Sequence, residues 1–221
     1  MSLLKEERLA ATFLQVEPTR HQVALAGRVT DAQTGQALAA ARVAISAAPA
    51  AFTAWLQLKA KQAQARWDTM IERPDRTQTA TDGYFYFLDL PAGQYTLTAS
   101  LPGSGSRYGT ANMTANISLA PTPKEPQKIT LTTVSLVLPP TTLKGQITAA
   151  DTKQPVFLAR VQVQGSGEQS FSDALGNYLL IGLEVGTRTV LVSAQSYKVN
   201  SQTVQLSRVG AEQQLQIVLE K

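Results

Sequence analysis

The sequence predicts an all-β protein of two tandem β-sandwiches, the first interrupted by an inserted α-helix. Three observations carry that expectation: a phrase written twice, an apolar period of two through both copies, and one stretch where the period becomes helical. The phrase TATDGYFYFLDLPAGQYTLTAS at 79–100 returns as SDALGNYLLIGLEVGTRTVLVS at 172–193. A constant offset of 93 pairs Gly83 with Gly176, Phe85 with Tyr178, Phe87 with Leu180, Leu90 with Leu183 and Gly93 with Gly186. Upstream, LAGRVTDAQTGQALAAARVAI matches LKGQITAADTKQPVFLARVQV at an offset of 118, pairing Gly27 with Gly145 and Val43 with Val161. The offsets differ by 25 residues, so two units of one design stand in tandem and the first carries an insertion.

The elements follow in order. Residues 1–20 form an N-terminal arm with more apolar side chains, among them Leu3, Leu4, Phe13, Leu14 and Val16, than a solvated tail carries. The first sandwich is expected over 21–138. Its strands read as alternation, Val23, Leu25, Gly27, Val29, then Val43 and Ile45, then Phe85 and Phe87, then Tyr95, Leu97 and Ala99, and a side-chain period of two is the strand period. Asp82-Gly83 and Pro91-Ala92-Gly93 supply turn chemistry. Tyr95, just past a bend, is placed to turn its ring inward and its hydroxyl onto backbone, as a tyrosine corner does. Pro139-Pro140 stiffens the junction. The second sandwich, 139–221, repeats the alternation through Val161, Tyr178, Val190, Val204 and Ile217, and both are expected to be antiparallel.

The insertion, about 49–73, breaks the pattern. Phe52, Leu56, Ala60, Ala63, Trp67, Met70 and Ile71 fall on one helical stripe, Pro49 stands at the start and Pro74 at the end. Packing of that stripe across a sheet of its own unit is the expected arrangement, with Trp55 at the stripe's edge and Leu58 off it. Both tryptophans of the chain lie here, and tryptophan is enriched at binding hot spots. Tyr84 and Tyr86 alternate with the inward Phe85 and Phe87 and so face the other way. A second buried face beneath the helix is the preferred reading of these two rings, an exposed aromatic platform made with Tyr108 the alternative. Trp55, Leu58, Trp67, Tyr84, Tyr86 and Phe13 are the candidate partner contacts.

These residues, G-x-V-x-D, then G-x-x-L-x-x-A-x-V, then D-G-x-F-x-F-x-x-L-P-A-G-x-Y-x-L-x-A, resemble the carboxypeptidase regulatory-like domain, a transthyretin-like module. The resemblance spans about 22–100 and 141–220. It implies a seven-stranded Greek-key sandwich used twice, and it brings no catalytic residue.

Composition removes several chemistries. There is no cysteine and one histidine, so thiolate sites and a histidine-based zinc centre lack their ligands. The GSGS at 103–106 lacks the Gly-Lys-Ser/Thr ending of a phosphate loop and reads as a flexible connection. Asp31, Asp82, Asp151 and Asp173 stand in turns, where capping of backbone amides accounts for them better than calcium. The net charge of +4 divides into 13 Lys+Arg against 10 Asp+Glu up to Leu138 and 7 against 6 beyond it, which is no nucleic-acid footprint. Charged residues at 5–8 interrupt any secretory apolar run, and the expected location is the cytoplasm, with release in a particle by a signal-independent route as a further step.

The functional expectation is a non-catalytic structural or adaptor protein, without cofactor or metal, making protein contacts in a larger bacterial assembly. A phage-tail-like contractile injection particle is the assembly such a chain fits. A ligand- or carbohydrate-binding module and a regulatory partner of a separate metallocarboxypeptidase stay open.

Overall fold

A computed structural model describes residues 21–71, 73–119 and 129–221. The first sandwich contains β1 (Val23–Asp31), β2 (Arg42–Ala47), α1 (Ala50–Ala63), α2 (Arg66–Thr69), β3 (Arg76–Gln78), β4 (Tyr84–Leu88), β5 (Gly93–Ser100), β6 (Ala111–Ile117) and β7 (Thr132–Leu138). One sheet runs β4-β1-β7 and the other β3-β2-β5-β6. The second sandwich contains β8 (Thr142–Ala149), β9 (Arg160–Val163), β10 (Gln169–Phe171), β11 (Asn177–Ile181), β12 (Gly186–Ser193), β13 (Asn200–Leu206), β14 (Glu212–Gln214) and β15 (Ile217–Leu219). Its sheets, β10-β9-β12-β13 and β11-β8-β14 with β15 also on β8, reproduce the first plan.

The antiparallel expectation needs one correction in each unit. β7 runs parallel to β1, and β14 and β15 run parallel to β8. The last strand of each unit arrives from the opposite sheet, so it meets the first strand travelling in the same direction. In the second unit that strand is split at Leu215, whose carbonyl accepts the Tyr178 hydroxyl at 2.7 Å. A Cβ on Gly145 would sit 1.8 Å from the same carbonyl, so only glycine admits this approach.

Alternation builds two separate cores. Leu25, Val29, Val43, Phe85, Phe87, Leu97 and Leu136 fill the first, and Leu143, Ile147, Val161, Tyr178, Leu180, Val190 and Ile217 the second. Tyr95 is fully buried and donates its hydroxyl to the Pro91 carbonyl at 2.9 Å; burial pushes its pKa up to about 12. The duplication extends to polar atoms. Thr79 Oγ1 accepts the Ala41 N–H at 2.9 Å and donates to the Leu38 carbonyl. Its counterpart Ser172 accepts the Ala159 N–H at 2.9 Å and donates to the Val156 carbonyl. Gly83 and Gly176, at φ +79° and +74°, make matching turns, each accepting a strand N–H at 2.9 Å, from Val29 and Ile147 respectively.

Between the units only 139–141 intervene, and the segment expected as a flexible connection closes the joint instead. Arg107 reaches from the first unit to Glu168, to Glu184 at 3.2 Å and to the Gly182 carbonyl. The Ser106 hydroxyl bonds Glu184 and accepts the Val185 N–H at 3.0 Å. Gly109 N–H donates to the Pro139 carbonyl at 2.8 Å, and Thr141 Oγ1 links the Ser106 carbonyl at 3.0 Å with the Gly210 N–H at 2.7 Å. Tyr108 donates to the buried Asp31 at 2.6 Å, tying the same segment to the end of β1. The side chains of Ser106, Arg107 and Tyr108, with the Ser106 carbonyl and the Gly109 N–H, thus fix a segment that composition alone reads as loose.

Candidate functional site

The insertion folds as a helix shorter than its stripe. α1 starts after Pro49, whose carbonyl accepts both the Thr53 N–H at 3.0 Å and the Thr53 hydroxyl at 3.2 Å. It stops because Gln64 turns to φ 50° while its N–H still bonds Ala60. Residues 66–69 then make the single turn α2, and Met70 is extended. The continuous helix over about 49–73 is therefore corrected to two pieces, and beyond the break Trp67 and Met70 line the same groove as Trp55 and Lys59 of α1.

The stripe is also less buried than expected. Phe52 alone is fully covered, wedged against Tyr95 with ring centroids 5.7 Å apart and against Trp55 at 5.6 Å. Met70 and Ile71 are exposed. The 14-residue helix is held by the buried Phe52 and by Leu56, half-buried against the same core, while most of its other side chains are exposed. The space left between α1, α2 and the edge strand β4 is a groove of about 980 Å³, lined by Trp55, Trp67, Met70, Tyr86, Leu88 and Pro91 among others. This lies at the upper end of ordinary ligand-site volumes.

Cations surround the apolar floor. The Arg73 guanidinium lies over the Trp67 ring at 4.7 Å and forks onto Asp75 with two bonds of 2.9 Å, and Lys59 lies 5.7 Å from the Trp55 ring centre. Arg76 bonds the Met70 carbonyl, and Arg73 and Arg76 exchange backbone bonds of 2.7 and 3.0 Å. The groove's base is thus pinned although its walls are open. At its edge His21 bonds Asp89, whose other oxygen accepts the Gln22 N–H at 2.8 Å. Burial raises the Asp89 pKa, but the Gln22 N–H and His21 outweigh it and hold the carboxyl below its usual range.

The structure brings together three of the candidate contacts, Trp55, Trp67 and Tyr86, and leaves two elsewhere. Leu58 projects from the outward face of α1, and Tyr84 lies on the outer sheet face beneath Arg28, 5.4 Å from its guanidinium carbon. Phe13 and the whole 1–20 arm lie outside the described residues. The preferred reading of Tyr84 and Tyr86 as a buried second face is overturned: they are 55% and 60% exposed. The helix stands over the edge of β4 and does not cross its outer face.

A second apolar surface went unnoticed in the sequence. Phe157, Leu158 and Leu175 are 59%, 59% and 65% exposed, on two segments joined by the Leu158 N–H to the Ser172 carbonyl. The repeat offsets equate them with Ala39, Ala40 and Asp82, so the shared fold does not require apolar residues there. Comparison of the two copies, position by position on their exposed faces, was the signal that would have found them. Strand directions put this patch at the end of the second unit away from the joint, while the groove, beside Leu88 and Pro91, is at the end of the first unit away from the joint.

The turn aspartates cap backbone. Asp31 accepts the N–H groups of Gln33 and Thr34 at 2.7 and 2.8 Å, and Asp173 those of Leu175 and Asn177 at 2.9 and 2.8 Å. Among the described residues no group of three or more histidine, aspartate or glutamate side chains is arranged to hold a metal. No described helix is long and apolar enough to cross a membrane.

Comparison with known proteins gives two family matches in tandem. Residues 24–132 match the carboxypeptidase regulatory-like domain and residues 143–221 the CarboxypepD_reg-like domain. No curated protein matches the chain. Among solved structures, the shaft pilin SpaA of Lactobacillus rhamnosus GG is similar at 12% identity over 89% of this chain and 95% of that one, with a TM-score of 0.41. The minor pilin GBS52 of Streptococcus agalactiae matches at 13% identity over 89% and 95%, with a TM-score of 0.29. A cohesin–X-dockerin complex of Acetivibrio cellulolyticus matches at 21% identity over 36% of this chain and 56% of that chain, with a TM-score of 0.29.

Proposed function

The chain belongs to the carboxypeptidase regulatory-like family, as two such domains in tandem, and from that premise we propose that it is a non-catalytic adaptor that holds protein partners through the groove of the first unit. The observation that carries this reading is the open groove with Trp55, Trp67 and Tyr86 on its floor. Aromatic rings of this kind are the anchors that dominate contact energies, and a monomer seldom leaves a contiguous apolar surface uncovered. The apolar patch of Phe157, Leu158 and Leu175 supplies a second contact at the other end, and the short joint sets the distance between the two. The assembly we assign it to is a phage-tail-like contractile particle formed in a bacterial cytoplasm, an attribution supported by composition and by analogy of module use.

The test is co-purification from native lysate with wild-type chain and with Trp55→Ala and Tyr86→Ser variants of unchanged circular dichroism. A specific set of partners lost with both variants is expected. Partners retained by both would remove the groove from the contact. Neighbouring genes encoding sheath, tube or baseplate proteins would support the particle, and a neighbouring peptidase would count against it.

The exposure of Tyr84 and Tyr86 favours one second reading, a platform on which sugar rings stack. A glycan array that stays blank with folded protein disposes of it.

A further inference from the structure

We propose that the groove is a receptor for the chain's own first 20 residues, so that a partner must displace the arm to bind; this rests on the reading of the groove as the contact surface.

Three observations point there. The first is connectivity. His21 lines the groove and is fastened to it through Asp89, together with Gln22. The preceding residues therefore emanate from the groove's own edge. Phe13 is eight residues upstream of His21 and reaches at most about 28 Å along an extended chain. The groove flanks a helix of 14 residues, about 21 Å long at the usual rise, so the arm is long enough to span it from end to end.

The second is chemistry. The arm carries Leu9, Phe13, Leu14 and Val16 close together, with Glu17 between them and the tether. The groove offers an aromatic and thioether floor with Lys59, Arg73 and Arg76 around it. Apolar side chains match the rings and Glu17 matches the cationic rim, while Arg20, which precedes His21 in the sequence, matches the Asp89 carboxylate that holds His21 and Gln22.

The third is effective concentration. A tether of a few residues holds a segment at roughly millimolar effective concentration beside its site. A segment with weak intrinsic affinity then occupies the groove, and a partner with the same apolar anchors replaces it at the cost of that occupancy.

Both tryptophans of the chain line the groove, so their fluorescence reads its cover directly. A shortened chain of residues 20–221 is expected to emit further to the red than the full chain and to be quenched more strongly by acrylamide. A synthetic peptide of residues 1–19 added to it should reverse both changes saturably, and the same peptide with Phe13→Ser and Leu14→Ser should not. The full chain carrying those two substitutions, folded by circular dichroism, should behave like the shortened chain. Equal emission and quenching in full and shortened chains, or a peptide without effect, overturns the proposal. A red shift of the full chain on dilution alone would show that the arm belongs to another copy, which also overturns it.

The two readings fail separately. Equal emission with groove-dependent partner capture leaves the adaptor standing and removes the arm. A covered groove with partners indifferent to Trp55 and Tyr86 does the reverse.

Discussion

At the scale of single residues, the duplication distinguishes what the fold needs from what is additional. Thr79 and Ser172 occupy equivalent positions and join the same two backbone groups, so the hydroxyl is a property of the fold. Thr79→Val keeps the shape and strands a buried N–H and carbonyl, and should cost about 1–3 kcal/mol in urea unfolding; Thr79→Ser should be tolerated. Leu158 is the contrary case. It is exposed at φ +56°, a conformation costly for a side chain with Cβ. Leu158→Gly should leave stability unchanged or raise it by up to about 1 kcal/mol, and a larger loss would show that the side chain supports its own unit. The Tyr108–Asp31 pair adds a pH dependence. Burial raises the Asp31 pKa, but the Tyr108 hydroxyl and the Thr34 and Gln33 N–H groups more than offset it, so the carboxyl is held below its ordinary range. A depressed folded pKa contributes stability above the unfolded value that is lost as pH falls through the folded one. The advantage of wild type over Tyr108→Phe, followed by urea midpoints, should therefore be full at neutral pH and shrink in acid below the carboxylate range.

At the scale of elements, the sheets were legible because their apolar period is imposed by alternation that both copies share. The turn and the tyrosine corner were legible for a different reason: glycine at positive φ and a ring after a bend each carry a local signature, although Arg188 stands where the first unit has Tyr95. The parallel pairing of β7 with β1 was not, since period two is the same in either direction. The inserted helix was legible as a helix, yet its packing was not. A stripe at helical spacing shows which residues share a side and cannot show that Gln64 ends the helix or that, of the stripe, Phe52 is fully buried and Leu56 only half. The exposure of Tyr84 and Tyr86 follows from that same unread geometry. If the insertion is an addition to a self-sufficient sandwich, residues 48–74 should be replaceable by residues 164–167 of the 164–168 connection that joins β9 to β10 in the second unit, where Glu168 takes the place of Asp75. The shortened protein should keep its β-sheet circular dichroism and lose partner capture. Phe52→Ala should act in between, costing about 3 kcal/mol of the first unit's stability while loosening Trp55, visible as stronger acrylamide quenching. A chain that fails to fold without 48–74 would make the helix part of the core after all.

At the scale of the molecule, the proposed adaptor function requires a joint that transmits position. Pro139-Pro140 announces a stiff connection, but the residues that lock it, Ser106, Arg107, Glu168 and Glu184, are scattered through sequence and carry no motif. Arg107 is central. Hydrogen bonding to Glu168 raises its pKa, with burial opposing and the charges of Glu168 and Glu184 adding to the rise. In Arg107→Ala, two carboxylates face each other without their cation, one of them with a buried Oε2 that has no hydrogen-bond partner. Charge-assisted bonds of this kind are worth about 1.5–3 kcal/mol each when buried, and the partial exposure of Arg107 reduces that. Because both tryptophans lie in the first unit, fluorescence follows that unit alone while far-ultraviolet circular dichroism follows both. In the wild type the two probes should report one coincident urea transition. In Arg107→Ala they should separate, and small-angle scattering should show a broader distribution of end-to-end distances. Coincident transitions in the variant would mean that Pro139, Thr141 and the Gly109–Gly210 contact hold the units unaided, and that the arginine sets only their register.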